Sequence, residues 1–251
     1  MIIDHPTPAQ VPALRSLWRE AFGDGEDFLN AFTTTAMDSR RCLTATVDGQ
    51  LAGALYWFDC SCRGRRLAYL YGVATAKAFR NRGVCHKLMD HVHSRLGKNG
   101  YAGTVLVPGE EGLFRFYEKM GYKSFCCMTT FPCAPDREAI QLYSVDTAEY
   151  ARLRRGLLPE GSVVQEKENL DFLATQAKLY AGTGFVLAAR KDGQRLLGLE
   201  LLGDKSAAPG ILTALGCGEG LFRVFGEGDP FAMYRPIADA PAPTYFALAF
   251  D

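Results

Sequence analysis

No stretch limits the fold of this chain as tightly as Leu67 to Leu96, which reads as a strand, a glycine turn and a helix in direct succession. The apolar run Leu67-Ala68-Tyr69-Leu70-Tyr71-Gly72-Val73-Ala74 predicts a buried strand, while Val84, Cys85, Leu88, Met89, Val92 and Leu96 recur on one helical face. Between them lies Arg80-Asn81-Arg82-Gly83-Val84-Cys85. The first amides of a helix have no internal acceptor and sit at the positive end of its dipole. A turn of this kind, flanked by two arginines, is predicted to hold a phosphate group.

The flanking sequence supplies the other elements. Ile2-Ile3 predicts a short strand, and Thr7-Pro8-Ala9-Gln10 a capping box ahead of a helix over 11–22 that Gly23 ends. A second helix is predicted over 26–36, and strands over 41–47 and 51–59 join through the tight turn Asp48-Gly49. After the phosphate helix come a strand over 104–107, a helix over 110–120 and a strand over 122–130. The strands on either side of the phosphate helix are joined by a crossover and so are predicted to run parallel.

Two motifs in order carry a family resemblance. Arg80-x-x-Gly83-x-Cys85 resembles the R/Q-x-x-G-x-G/A motif of the GNAT N-acetyltransferase superfamily, and Phe116-Tyr117-Glu118-Lys119-Met120-Gly121-Tyr122 resembles that family's YEKxGF ending. The resemblance covers roughly residues 1–130. It implies an α/β (α+β) GNAT fold with a mixed, mostly antiparallel central sheet and two splayed parallel strands. Acetyl-CoA is the implied co-substrate. Arg80, Asn81, Arg82, Gly83, Val84 and Cys85 would hold its pyrophosphate, and the backbone of Val73, Ala74 and Thr75 would pair with its pantetheine arm. Three positions depart from the family pattern: Cys85 stands for Gly/Ala, Lys77 for a common proline and Glu110 for a common asparagine.

Direct acetyl transfer to an amine requires a positioned thioester, an amine that loses a proton and a protonated leaving thiolate. By its place in the second motif Tyr117 is the expected general acid, since a phenol is protonated at neutral pH. The motif strand offers Tyr69 and Tyr71 and no carboxylate as base. Some two-repeat relatives deliver the chain's terminal carboxylate to the first repeat's site, which makes Asp251, at the end of a strand expected over 244–250, the second catalytic candidate. Glu26, Asp27, Phe28 and Tyr69 are the expected acceptor-site residues, the two acids attracting a cationic amine; the same acids also suit a helix start. His86, His91 and His93 are expected to face solvent.

The second half echoes the first in short words. Asp192-Gly193-Gln194 matches Asp48-Gly49-Gln50, Leu215-Gly216 matches Tyr71-Gly72, and Gly220-Leu221-Phe222-Arg223-Val224-Phe225 matches Gly112-Leu113-Phe114-Arg115-Phe116-Tyr117 with a shorter offset. This pattern predicts a catalytic GNAT domain over 1–132 and a truncated, degenerate GNAT-like domain over 137–251. The second would lack the phosphate turn, its helix and a strand, and Phe225 would stand where Tyr117 stands.

Composition narrows the partners. Lys+Arg and Asp+Glu both number 28, so no basic footprint points to nucleic acid or a membrane surface. No run approaches spanning length and no leader pattern opens the chain, so a cytoplasmic location is expected. The eight cysteines form no Cys-x-x-Cys and lie near no histidine pair, which points to reduced thiols and no metal. The expected partners are a small-molecule or peptide amine acceptor and, at most, a second copy of the chain in a homodimer. Two other readings fit the same motifs: a non-catalytic CoA-binding regulatory protein, and a transferase using another acyl or aminoacyl donor.

Overall fold

The computed structural model describes residues 1–250 and divides them into two compact units that interleave along the chain. Residues 1–107, 112–123 and 234–241 form the first, and 108–111, 124–233 and the chain from Ala242 onward form the second.

The first unit opens with β1 (Ile2–Asp4), α1 (Val11–Phe22) and α2 (Glu26–Thr35). The capping box is present, but Thr7 starts a short 3-10 turn over Pro8–Gln10 and α1 begins after it. Pro12 has no amide to bond the Pro8 carbonyl, so the α ladder cannot start earlier. Leu14, Leu17 and Trp18 form the buried stripe of α1, and Gly23 closes it at φ 78°. Full burial of each such side chain contributes about 1.5–3 kcal/mol. The sheet continues with β2 (Cys42–Val47), β3 (Gln50–Cys62) and β4 (Arg65–Thr75), each antiparallel to the one before. Then α3 (Val84–Lys98) crosses over to β5 (Gly103–Leu106), which is parallel to β4, and α4 (Glu111–Glu118) follows. This is the mixed, mostly antiparallel sheet with one parallel crossover that the motifs imply.

The second unit takes most of β6 (Lys123–Cys133) and adds β7 (Tyr143–Ser144), α5 (Thr147–Leu157), α6 (Glu168–Ala174), β8 (Lys178–Gly182), β9 (Phe185–Asp192), β10 (Arg195–Gly203), α7 (Ala208–Ala214) and β11 (Glu219–Phe225). A last strand, β12 (Asp229–Pro236), starts in this unit and ends in the first. Its strand order runs β6-β11-β10-β9-β8-β7. The core here is Leu187, Leu196, Leu201, Ile211, Leu212 and Phe222 with their neighbours.

Four expectations for the second half are corrected. Gly220 to Phe225 lies in β11, because Gly220, Phe222 and Val224 are buried and their neighbours are not, a period of two rather than a helical stripe. Phe225 is therefore no helical counterpart of Tyr117. Leu215-Gly216 follows α7 rather than lying in a strand. The parallel crossover thought missing is present, since α7 joins β10 to its parallel neighbour β11. Nor does 244–250 form a strand: only Tyr245 makes a bridge, to Ser162. Its backbone is met instead by loop and side-chain groups, with the Val163 amide donating to the Tyr245 carbonyl at 2.9 Å and Gln165 Nε2 to the Leu248 carbonyl at 2.8 Å.

Candidate active site

The site of the first unit starts from where β4 stops pairing. β4 meets β5 only at Leu67↔Gly103, Ala68↔Thr104 and Tyr69↔Val105. Past Tyr69 it continues to Thr75 while paired with β3 alone. The edge carried by Val73, Ala74 and Thr75 is thus released from β5, and this is the splay the motifs imply. A bulge reinforces it: Tyr56 faces Tyr71 and Ala54 faces Ala74, so Gly72 and Val73 oppose Leu55 together. Gly72 sits at φ 57°, and a Cβ there would lie 2.5 Å from the Trp18 ring, so both backbone and packing demand glycine.

The chain leaves β4 through a 3-10 turn over Lys77–Phe79 and reaches α3 through Arg80–Gly83. Asn81 at φ 61° and Gly83 at φ 72° are both left-handed, which curls the successive amides to one side. The first α-helical bond is from the Lys87 amide to the Gly83 carbonyl at 3.1 Å, so the amides of Val84, Cys85 and His86 precede the ladder. Arg80 and Arg82 are exposed. Arg80 Nε donates to the Thr75 carbonyl at 3.3 Å, tying the turn to the end of β4, and the Arg82 guanidinium lies 5.7 Å from the Phe79 ring. A Cβ built on Gly83 would meet nothing within 4 Å, so the turn is open on that side. An open nest of amides, two cations and an unpaired strand edge beside it fit a diphosphate with a linear amide-bearing arm.

Cys85 is half-buried, and burial pushes its thiol up to about 12. It stays a neutral thiol and adds no charge against a phosphate.

Tyr117 is the buried residue of α4, 7% exposed. Its ring packs on Phe116 at 5.3 Å and on Tyr122 at 5.8 Å. Among the described residues its hydroxyl has no hydrogen-bond partner. Burial, and secondarily the nearby Cys85 thiol, pushes the phenol well above its ordinary range, so it remains protonated. Tyr122 differs: its hydroxyl lies 2.7 Å from Thr104 Oγ1 and 2.8 Å from His93 Nε2.

That contact overturns the expectation for one histidine. His86 and His91 are exposed, but His93 is buried at 6%, because it follows Met89 by four residues and precedes Leu96 by three, on the apolar stripe of α3. This spacing was the available signal. Arg235 Nη1 donates to His93 Nδ1 at 2.8 Å, which leaves Nε2 as the protonated nitrogen facing Thr104 and Tyr122. Burial first, and the Arg235 charge second, lower its pKa to about 3.

The expected acceptor residues fare unequally. Glu26 is exposed and paired with Arg15 Nη2 at 2.6 Å and with Arg19, so a cationic acceptor there would share it with two arginines. Asp27 is exposed. Phe28 is half-buried, 6.0 Å from the Trp18 ring. Tyr69 is 2% exposed and stacks on Phe58 at 6.0 Å, so it is core rather than rim. Half-buried Tyr71 lies next to it, 5.5 Å from Trp18, at the start of the bulge. Asp251 lies outside the described residues.

Residues 3–125 match the family model described as Acetyltransferase (GNAT) domain. No curated protein matches the chain significantly. Among solved structures, a conserved protein of unknown function from Enterococcus faecalis V583 superposes with a TM-score of 0.71 at 14% identity, covering 94% of this chain and 72% of that one. A GCN5-related N-acetyltransferase from Anabaena variabilis gives 0.72 at 14% identity, with 94% and 72% covered. Another, from Kribbella flavida, gives 0.68 at 17% identity, with 94% and 70% covered. At such identities the likenesses speak for the fold, and the family model speaks for the lineage. Residues 3–125, with their parted parallel strands and phosphate-type turn, form a GNAT acetyltransferase domain.

Proposed function

We propose that the chain is an acetyl-CoA-dependent N-acetyltransferase that moves an acetyl group directly to a primary amine of a small molecule or peptide. One observation carries the proposal: the β4 edge freed after Tyr69 leads through Arg80–Gly83 to the open amides of α3, within the same unit as a buried phenol with no hydrogen-bond partner among the described residues. Bound acetyl-CoA supplies an activated acyl group and a thiol leaving group.

The chain's own residues do the rest. The amides of Val84, Cys85 and His86, with Arg80 and Arg82, hold the diphosphate. The backbone of Val73, Ala74 and Thr75 pairs with the arm and so orients the acyl carbon, which converts a bimolecular encounter into a positioned one. Tyr117 donates its proton to the departing sulfur. β4 offers no carboxylate, so the proton of the amine leaves through water rather than to a strand-borne base. The half-buried aromatic rim of Phe28 and Tyr71, with exposed Asp27, receives the acceptor.

Incubating the purified chain with acetyl-CoA and a panel of primary amines, and following free thiol, tests this. Release that depends on one class of amine supports it. Binding of CoA with no release for any amine or water leaves the regulatory reading, and no binding at all removes the assignment.

A further inference from the structure

The second unit repeats the element order of the first, with β7, α5, α6, β8, β9, β10, α7 and β11 following the sequence β1, α1, α2, β2, β3, β4, α3 and β5. Two local details repeat with it. β10 and β11 pair only from Arg195↔Glu219 to Gly198↔Phe222, and a bulge falls on β10 directly afterwards, between Gly198 and Glu200. β4 likewise leaves β5 after Tyr69 and bulges just beyond. Both crossovers begin with a 3-10 turn, Lys77–Phe79 in one and Lys205–Ala207 in the other. The difference comes next. In the first unit Arg80–Gly83 intervenes before the helix, whereas α7 starts at Ala208 with nothing in between. The Asp204 carboxylate accepts from the Ser206 amide at that place, so a negative charge already stands where the first unit presents open amides.

The parting strands of the second unit are bridged by the chain itself. The Tyr245 hydroxyl donates to Glu200 Oε1 at 2.7 Å, on β10 just past its last parallel pair. The Tyr245 ring lies 5.3 Å from Phe225 at the end of β11. Cys126 Sγ on β6, the other neighbour of β11, donates to the Phe246 carbonyl at 3.5 Å. Residues 245–250 are at most 3% exposed although they form no strand, and Glu200 is saturated by Arg154 and Tyr150 besides Tyr245. Irregular backbone is buried only where its polar groups are met, and here Val163, Gln165 and Cys126 meet them.

We infer that the second unit is a cofactor-type fold whose inter-strand cleft is permanently filled by residues 244–250 of the same chain, so that each chain takes up one equivalent of coenzyme A, in the first unit. The uptake half of this inference rests on the function proposed above; the seated segment does not.

Two measurements on the full-length protein test it. Calorimetric titration with coenzyme A is expected to give one equivalent. Hydrogen exchange read by mass spectrometry is expected to show slow exchange over 244–250 without ligand, and slowing by coenzyme A over 72–87 but none over 196–203 or 219–225. Tyr245→Phe removes one bond to a buried carboxylate while keeping the ring; exchange over 244–250 should rise about tenfold with the equivalence unchanged. Two equivalents, or ligand-dependent slowing over 196–203 or 219–225, would overturn the filled cleft. So would free-chain exchange over 244–250 in the wild type, or no rise in Tyr245→Phe. A protein that takes up no coenzyme A removes the proposed activity together with the equivalence, yet the exchange of 244–250 still decides whether the segment is seated.

Discussion

Nδ1 of His93 accepts from Arg235 Nη1 at 2.8 Å, in a first unit where α3 carries the histidine and the end of β12 carries the arginine. A protonated imidazole would have to turn a proton toward a guanidinium in a buried place, so the ring is held neutral. Nε2–H is left for Thr104 and Tyr122, and Tyr122 is the ring on which Tyr117 rests.

This relationship predicts an acid-labile fold. The folded pKa of about 3 lies below the unfolded value near 6.5. Between them the unfolded chain binds the extra proton, so stability is fully present above about pH 6.5 and is lost as pH falls toward 3. Urea unfolding of the wild type should lose about 2 kcal/mol more than His93→Gln on going from pH 7 to 4.5. Equal losses in the two proteins would show that His93 is not held neutral.

Tyr117→Phe should separate catalysis from folding. Among the described residues the hydroxyl has no hydrogen-bond partner, so its removal should leave Tm and coenzyme A affinity near wild type. Loss of a general acid should lower kcat by about a hundredfold or more. Because the phenol is pushed upward by burial, no alkaline fall in kcat below about pH 10 should come from this residue. An unchanged kcat would take Tyr117 out of the reaction.

Gly83→Val tests the turn. No atom stands in the way of a Cβ, so the cost comes from φ 72° at a β-branched residue. Strain of about 1–3 kcal/mol is expected, and relief of it would move the amides, weakening coenzyme A binding by tenfold or more. Calorimetry on a variant that still melts cooperatively would read this; unaltered affinity would place the diphosphate elsewhere.

Glu200→Gln strikes the buried pair with Arg154, whose bidentate bonds are 2.7 and 2.9 Å. The guanidinium would remain charged and without its counterion, so a loss of about 3–5 kcal/mol is expected in urea unfolding. A loss below about 1 kcal/mol would mean that water reaches this site.

Local chemistry was enough to read much of the first unit. Periodicity placed α1, α3 and β2 to β4, and Arg80 to Cys85 announced the turn because a glycine and the two arginines just before it are properties of neighbouring residues. The second motif brought Tyr117 to notice for the same reason. Word matching misled in the second half: Gly220 to Phe225 shares letters with a helix but alternates in burial, and the environment that imposes that alternation comes from β6 and β10, far away in sequence.

Distance along the chain is what separates the two kinds of knowledge. Which stretch would bend, cap or carry phosphate followed from adjacent side chains and backbone preference alone. That Glu26 pairs with Arg15 and Arg19, that Tyr69 is core, that His93 meets Arg235 across 142 positions, and that residues 244–250 fill a cleft were decided by packing. Charges and hydroxyls take their roles from whatever the fold sets against them, and no spacing in the chain encodes that partner.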